Sequence, residues 1–313
     1  MGSVGSMSRK RSADLSAIAA VDQAEPATDW PNRQHSRLLV HADTRWHLQQ
    51  CGSGPTLLLL HGTAASTHSF AGLLPLLSQH FHVLTLDLPG HAYTRAPRQY
   101  DCSMTAMASS ISSLLTRLEL APQVAVGHSA GAAILCRMVL QQQLDSRLII
   151  AINGALQGFA GLPGQLFAPL ARLLVGNSLL PYIIARRARD QRAVQRLLKG
   201  TGSAVAAPYA ELYQRLFQQP QHVAAVLKML ANWNLHELEP MLTGLPGRLH
   251  LLVGDNDKAV PPAQSTALQH RLNQAAVDVS VQRLYGLGHL AHEEQPQQIA
   301  ELITHQAETA GLL

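Results

Sequence analysis

The stretch "VAVGHSAGAAI", residues 124–134, decides the fold. A short aliphatic run that ends at a glycine is typical of a strand buried on both faces of a sheet. The alanine- and leucine-rich continuation, "AAILCRMVLQQQ", is typical of a helix. The sequence therefore predicts a strand, a sharp turn around Ser129 and then a helix.

The turn itself matches the nucleophile-elbow pattern G-x-S-x-G, formed by Gly127, His128, Ser129, Ala130 and Gly131. Glycines flank the serine in this pattern because its backbone is strained and the tight turn leaves no room for larger side chains. The amino end of the following helix favours a developing negative charge. The match predicts that Ser129 is a nucleophile, and the alternative is a serine needed only for the turn.

A serine hydroxyl needs a base at neutral pH, and the base needs an orienting carboxylate. The segment "LLVGDNDKAVP", residues 251–261, ends a predicted strand in an acidic turn. We expect Asp257 to be the orienting acid, with Asp255 as the alternative.

The base is expected in "LYGLGHLAHEEQP", residues 284–296. His289 follows Gly288 directly after the last predicted strand, which favours it over His292. The order serine, acid, histidine along the chain is one of the known orders of such triads. Parallel sheets place their sites beyond the carboxyl ends of the strands, where all three residues are expected.

Two backbone N–H groups are needed to stabilise an oxyanion, one after the nucleophile and one after an early strand. Ala130 is expected to supply the first. His61-Gly62-Thr63 closes the apolar run "TLLLL", so Thr63 is expected to supply the second.

Strand-like and helix-like runs alternate along the chain from residue 36, which predicts an α/β fold with a doubly wound, mostly parallel sheet. After the last strand, a carboxyl-terminal helix is expected from about Leu290. Strand patterns stop between Gly154 and Leu235, where short helical runs follow one another. The sequence thus predicts a flexible tail over residues 1–34, a core over 35–153 and 236–313, and a helical cap over 154–235.

Several motifs together resemble the α/β-hydrolase superfamily across residues 36–313, namely "HGTAAS", "DLPGHAYT", "GHSAG", "VGDNDKAVP" and "GLGHLAHEEQP". A narrower resemblance, to the magnesium-chelatase accessory proteins of bacteriochlorophyll biosynthesis, rests on "WPNRQHSRLL", "LLLLHGTAASTHSF", "GHSAGAAI", "NWNL" and "GLGHLAHEE". The resemblance implies an α/β-hydrolase fold with a helical cap, acting around magnesium insertion into protoporphyrin IX in photosynthesis. Ala92 departs from the pattern, because many relatives have glycine there.

Composition excludes several classes of protein. The net charge of +4 is modest, and no dense basic run with aromatic residues indicates nucleic-acid binding. Cys51, Cys102 and Cys136 fit neither a disulfide framework nor a zinc motif, which favours a reducing compartment. Neither an export signal nor an 18-residue apolar span is found, so a cytoplasmic protein is expected.

The chain has 16 histidines, which raises the question of a metal site. His61, His68, His91 and His128 fall near the predicted site, but no pair has the spacing of a dedicated ligand set. We therefore expect loop and wall residues, with no metal and no cofactor. Asp87 in "DLPG" is expected to fix a loop rather than to act in catalysis.

The predicted cap is strongly basic. It holds nine Arg/Lys residues but only Asp190 and Glu211 as acids. Three interpretations stay open: a solvated helical face, a surface for anionic lipid or a protein partner, and arginines that receive the propionates of a tetrapyrrole. The second would place the cytoplasmic protein at the periphery of a membrane.

Two functions remain at this stage. One is a serine hydrolase that cleaves an ester, amide or thioester of a mostly apolar small molecule, for which a tetrapyrrole is one candidate. The other is a non-catalytic accessory protein that binds porphyrin or magnesium chelatase and keeps the triad by descent. Fold alone does not separate them, because one fold hosts many activities.

Overall fold

A computed structural model of the chain describes residues 25–158 and 177–313. The described residues form an eight-stranded sheet with the strand order β1-β2-β4-β3-β5-β6-β7-β8. The strands are β1 (Ser36–His41), β2 (Thr44–Cys51), β3 (Thr56–Leu60), β4 (His82–Leu86), β5 (Val124–His128), β6 (Leu148–Ile152), β7 (Arg248–Gly254) and β8 (Asp278–Leu284).

The first two strands form an antiparallel hairpin, and β2 pairs antiparallel with β4. Every pairing from β4 through β3, β5, β6 and β7 to β8 is parallel. This sheet confirms the predicted mostly parallel α/β fold.

Helices lie along the chain between and after these strands. The helices are α1 (Leu73–Leu77), α2 (Met104–Arg117), α3 (Ala130–Leu140), α4 (Leu180–Arg187), α5 (Gln191–Gly200), α6 (Ala207–Phe217), α7 (Pro220–Asn232), α8 (Leu235–Met241), α9 (Pro262–Gln274), α10 (Ala291–Glu294) and α11 (Pro296–Thr309). Because β3 is apolar at successive positions, it supplies two cores: Leu58 and Leu60 pack on one face, and Leu57 and Leu59 on the other.

The carboxyl-terminal helix differs from its prediction. Instead of one helix from about Leu290, the chain forms α10 and α11, separated at Gln295. Pro296 explains the break, because a proline disfavours helical backbone at the preceding residue. Gln295 has φ −138° and ψ 67°, outside the helical region. The short α10 thereby carries the residues that follow His289.

The predicted domain limits stay predictions, because residues 1–24 and 159–176 lie outside the described residues. Within the predicted tail, Trp30 is buried and its indole N–H donates to Thr67 Oγ1 at 3.3 Å. Helix α8 runs across the predicted limit between residues 235 and 236. No helix in the described part of the chain is long and apolar enough to cross a membrane.

Candidate active site

Ser129 lies in the tight turn between β5 and α3. Its φ of 50° and ψ of −115° lie in a region that side chains other than glycine rarely adopt. The turn closes tightly, because a Cβ at Gly127 would overlap the backbone of Ala132, and one at Gly131 would overlap the carbonyl of Leu60. The sequence pattern and the local strain therefore agree on an elbow that presents Ser129 at the end of β5.

The structure brings His289 and Asp257 together. His289 Nδ1 lies 2.8 Å from Asp257 Oδ2, and the other carboxylate oxygen accepts the N–H groups of Ala259 and Val260 at 2.8 Å each. Both side chains are nearly enclosed, with residue exposures of 8% and 4%. The carboxylate is thus held in a fixed orientation, and a fixed carboxylate holds the imidazole ring in one tautomer.

The alternative acid, Asp255, has a different partner. It lies at the end of the same strand, but its Oδ1 accepts from the Arg283 guanidinium on β8, with an Nε–Oδ1 distance of 2.6 Å. Since this surface ion pair occupies its carboxylate, Asp255 does not orient His289 in this structure.

The alternative base, His292, belongs to a separate buried network. Its Nε2 lies 2.7 Å from Ser69 Oγ, and Ser69 donates to Glu293 Oε1 at 2.5 Å. Tyr213 of the cap donates to the same oxygen at 2.7 Å. Burial raises the pKa of Glu293 to about 7 and lowers the pKa of His292 to about 3. The network thus joins α10 to the cap through buried hydrogen bonds that converge on Glu293.

His128, the variable residue of the elbow, contacts both histidines of the last loop. Its Nε2 donates to the His289 carbonyl at 2.9 Å, and its ring centroid lies 4.5 Å from that of His292. Burial holds the pKa of His128 well below its usual range. A neutral His128 therefore ties the elbow to the His289 loop.

The loop after β3 lies against the nucleophile. A Cβ at Gly62 would come within 3.0 Å of Ser129 Cβ. The loop is fixed because His61 Nδ1 donates to the Gly62 carbonyl at 2.8 Å, while His61 Nε2 accepts from Leu88 N at 2.9 Å. Thr63 follows in this loop, and its hydroxyl donates to Met229 Sδ of the cap at 3.7 Å.

Ala130, the other predicted oxyanion donor, is the first residue of α3 and is buried. The first N–H groups of a helix have no partner within the helix, so they are available to a ligand. The arrangement can therefore present one backbone N–H group from the loop after β3 and one from the start of α3, which is what an oxyanion requires.

Asn153 links the loops of the site by hydrogen bonds, a role that the sequence patterns did not indicate. It is 1% exposed and directly follows β6. Its amide nitrogen donates to the carbonyls of Gly288 and His289 at 2.9 Å each, and its oxygen accepts from Gly254 N at 2.7 Å. One side chain thus connects the loops that carry the acid and the histidine. A polar residue directly after a buried strand was the available signal.

The segment 201–204, between α5 and α6, connects the cap by hydrogen bonds to the loops that carry Asp257 and His289. Lys258 N, beside Asp257, donates to the Thr201 carbonyl at 3.0 Å. Leu290 N, beside His289, donates to Ser203 Oγ at 2.8 Å. Movement of this part of the cap would therefore act on the acid and histidine loops.

Asp87 fixes a loop, as its sequence context predicts. Its carboxylate accepts from Thr67 N at 2.8 Å and Tyr93 N at 3.1 Å, and it pairs with His47 Nδ1 at 2.8 Å. Burial opposes ionisation, but attraction to His47 and the hydrogen bonds hold the pKa of Asp87 below its usual value. The group is therefore a structural anion.

The remaining histidines near the site are buried in its walls and loops. Burial lowers the pKa of His61 and His68 to about 3 and that of His91 to about 4, so these rings are neutral. His222 of α7 accepts from Ala92 N at 3.1 Å. Among the described residues, no group of three or more His, Cys, Asp or Glu side chains could hold a metal ion.

Comparison with known proteins agrees with this architecture. The sequence model of the alpha/beta hydrolase family matches residues 57–302. The chain is 33% identical to the magnesium-chelatase 30 kDa subunit of Rhodobacter capsulatus over 273 residues, which are 87% of this chain and 93% of that protein.

Two solved structures share the fold. One is an α/β-hydrolase fold protein from Burkholderia ambifaria, with a TM-score of 0.70 at 20% identity, covering 87% of this chain and 100% of that chain. The other is an esterase from Exiguobacterium antarcticum, with a TM-score of 0.69 at 16% identity, covering 87% and 98%. With its sheet, its elbow and these matches, the chain belongs to the α/β-hydrolase family.

Proposed function

We propose that this chain is a serine hydrolase that cleaves an ester or acyl bond of a mostly apolar small molecule. The observation that carries the proposal is the 2.8 Å contact between His289 Nδ1 and Asp257 Oδ2, at the same sheet edge as the strained Ser129. A turn serine with no chemical role would need neither an oriented histidine nor a buried carboxylate.

In the proposed reaction, His289 Nε2 takes the proton of Ser129 Oγ as that oxygen attacks the substrate carbonyl carbon. The N–H groups of Thr63 and Ala130 stabilise the oxyanion that forms. Collapse of this intermediate breaks the bond to the leaving group, which receives the proton from His289 and leaves an acyl-serine. Water, deprotonated by the same imidazole, then releases the acid and restores Ser129. Asp257 stabilises the imidazolium in both steps.

The preference for an apolar substrate is supported by the cap. Met229 of α7 contacts the Thr63 hydroxyl, so the cap approaches the predicted oxyanion loop with an apolar side chain. The nearby histidines have lowered pKa values and are uncharged at neutral pH, so they offer no cation to an anionic substrate. A tetrapyrrole ester is one substrate of this kind.

One relative favours a second candidate. The similarity to the Rhodobacter capsulatus magnesium-chelatase subunit supports a role around magnesium insertion. The motif resemblance described in the sequence analysis implies that this role belongs to bacteriochlorophyll biosynthesis. In that case the chain would bind porphyrin or the chelatase, and the triad would be retained by descent.

Hydrolysis of p-nitrophenyl esters of increasing acyl length separates the two candidates. We expect turnover that Ser129→Ala removes, with a loss on the order of 10⁶ in kcat, about the same as removal of the whole triad. Ser109→Ala, on the exposed side of α2, is the matched control and should leave the rate unchanged. Absence of turnover in the wild type, together with full rescue of pigment synthesis by Ser129→Ala, would favour the accessory role.

A further inference from the structure

The outward side of α4 carries large apolar residues that nothing in the described chain covers. Leu179, Tyr182 and Ile183 are 67%, 64% and 52% exposed. Their spacing places them on one side of the helix, and Arg186 and Arg187 continue the same side by one turn. Ala185, on the opposite side, is buried. The solvent-facing side of the helix is thus apolar at its amino end and cationic at its carboxyl end.

Helix α5 continues this surface. Arg192, Arg196 and Lys199 lie at helical spacing on its exposed side, and Leu197 is 53% exposed. Its buried side packs in one cluster with Ala188, which follows α4. The outward sides of α4 and α5 are called the cap face below.

The cap face is unusual in both apolarity and charge. The described residues include eight exposed large hydrophobic side chains, and four of them lie between residues 179 and 197. Residues 177–200 hold six basic residues and one acidic residue, Asp190, which lies 3.9 Å from Arg196. A solvated face would keep the cations, but it would not gather half of the exposed apolar side chains among them.

We propose that the cap face docks on the surface of an anionic lipid bilayer. Cations on this face match the headgroup charge, while Tyr182 and Ile183 enter the headgroup–acyl boundary, where such side chains are stabilised. An acidic protein would account for the arginines but not for the apolar end of α4. Helix α5 ends at Gly200, directly before the segment 201–204 that contacts the acid and histidine loops. Docking would therefore bring the active site close to the lipid.

Co-sedimentation with vesicles tests the charge of this surface. The full chain should bind vesicles of equal parts phosphatidylcholine and phosphatidylglycerol, bind phosphatidylcholine alone far more weakly, and be released by salt. Each basic residue near an anionic surface contributes about fivefold to partitioning, so Arg186→Gln/Arg187→Gln should lower it by about 25-fold. Arg37→Gln/Arg117→Gln removes two exposed arginines elsewhere and should have no such effect.

The apolar end requires a separate variant. Tyr182→Ser/Ile183→Ser should lower partitioning about tenfold, while Val40→Ser/Tyr285→Ser, at exposed apolar positions of the sheet and its last loop, should not. Unchanged thermal unfolding of all variants shows that they are folded. Equal binding to neutral vesicles, or no binding to either kind, overturns the proposal. Loss on arginine removal without loss on Tyr182→Ser/Ile183→Ser also overturns it, because the apolar end of α4 would then not enter the bilayer.

Discussion

Replacing Asn153 by alanine should damage both stability and the proposed catalysis. The side chain makes three buried hydrogen bonds, to Gly254 N and to the carbonyls of Gly288 and His289. The His289 carbonyl keeps the bond from His128 Nε2, but the other two backbone groups lose the side chain that bonds them.

Each buried polar group left unpaired costs about 1–3 kcal/mol. Asn153 also has φ 47°, a left-handed backbone that alanine adopts about 1 kcal/mol less readily. Together these terms lower the free energy of unfolding by about 5 kcal/mol, a large part of the 5–15 kcal/mol typical of a folded protein.

The catalytic effect follows from position. Without Asn153 the His289 loop loses its bonds to the end of β6, and a shift of about 1 Å at a reacting group costs about 100-fold in rate. We expect kcat to fall by this order while KM changes little, because no substrate contact is removed.

Urea unfolding and ester hydrolysis measure the two effects. Asn256→Ala is the matched control, since Asn256 also bonds a loop carbonyl, that of Gly286 at 2.8 Å, but is exposed. The control should lose less than about 1 kcal/mol. A loss of that size for Asn153→Ala as well, with an unchanged kcat, would refute the reasoning.

Three further predictions follow from the same contacts. Asp257→Asn should lower kcat by about 10⁴, since the wrong tautomer of His289 is then favoured, and Asp255→Asn should lower it less than tenfold; equal losses in steady-state assays would contradict the assignment of the acid. Because burial raises the pKa of Glu293 from 4.5 to about 7, the folded state binds more protons than the unfolded state between these pH values. Its contribution to stability is therefore complete below pH 4.5 and is lost as the pH rises through 7, by about 3 kcal/mol. Glu293→Gln should remove this loss. Urea titrations should therefore give the two proteins similar free energies of unfolding at pH 5, and the variant the higher value at pH 8; similar values at both pH values would contradict a raised pKa. Gly131→Ala should greatly reduce the folded yield, because a Cβ there would overlap a backbone carbonyl; a normal yield with an unchanged melting temperature would show that the elbow can widen.

The sheet and the elbow were predictable because local patterns determine them. Continuous apolar runs such as "TLLLL" indicate buried strands, and G-x-S-x-G describes a turn within five residues. Sequence order also led to Asp257 and His289. Whether Asp257 or Asp255 orients the histidine, however, depends on which of the two carboxylates faces β8. That choice needs the pairing of β7 with β8 and the position of Arg283, neither of which is a local property.

The residues that were missed act through contacts between distant parts of the chain. Asn153 bonds residues 101, 135 and 136 positions away, and Ser69 bonds Glu293 across 224 positions. A polar residue directly after a buried strand could have drawn attention to Asn153, but no local pattern identifies the distant groups that these side chains bond. The division of the last helix at Gln295 was, by contrast, available from Pro296, whose effect on the preceding residue is local.

The most direct test of the proposed function is covalent labelling of the nucleophile. Purified protein treated with a fluorophosphonate probe should gain one adduct, and peptide mass spectrometry should locate it on Ser129. Asp257→Asn should be labelled far more slowly and Ser129→Ala not at all. An unlabelled wild type that is folded by its melting curve, or an adduct on another residue, would contradict a serine hydrolase centred on Ser129.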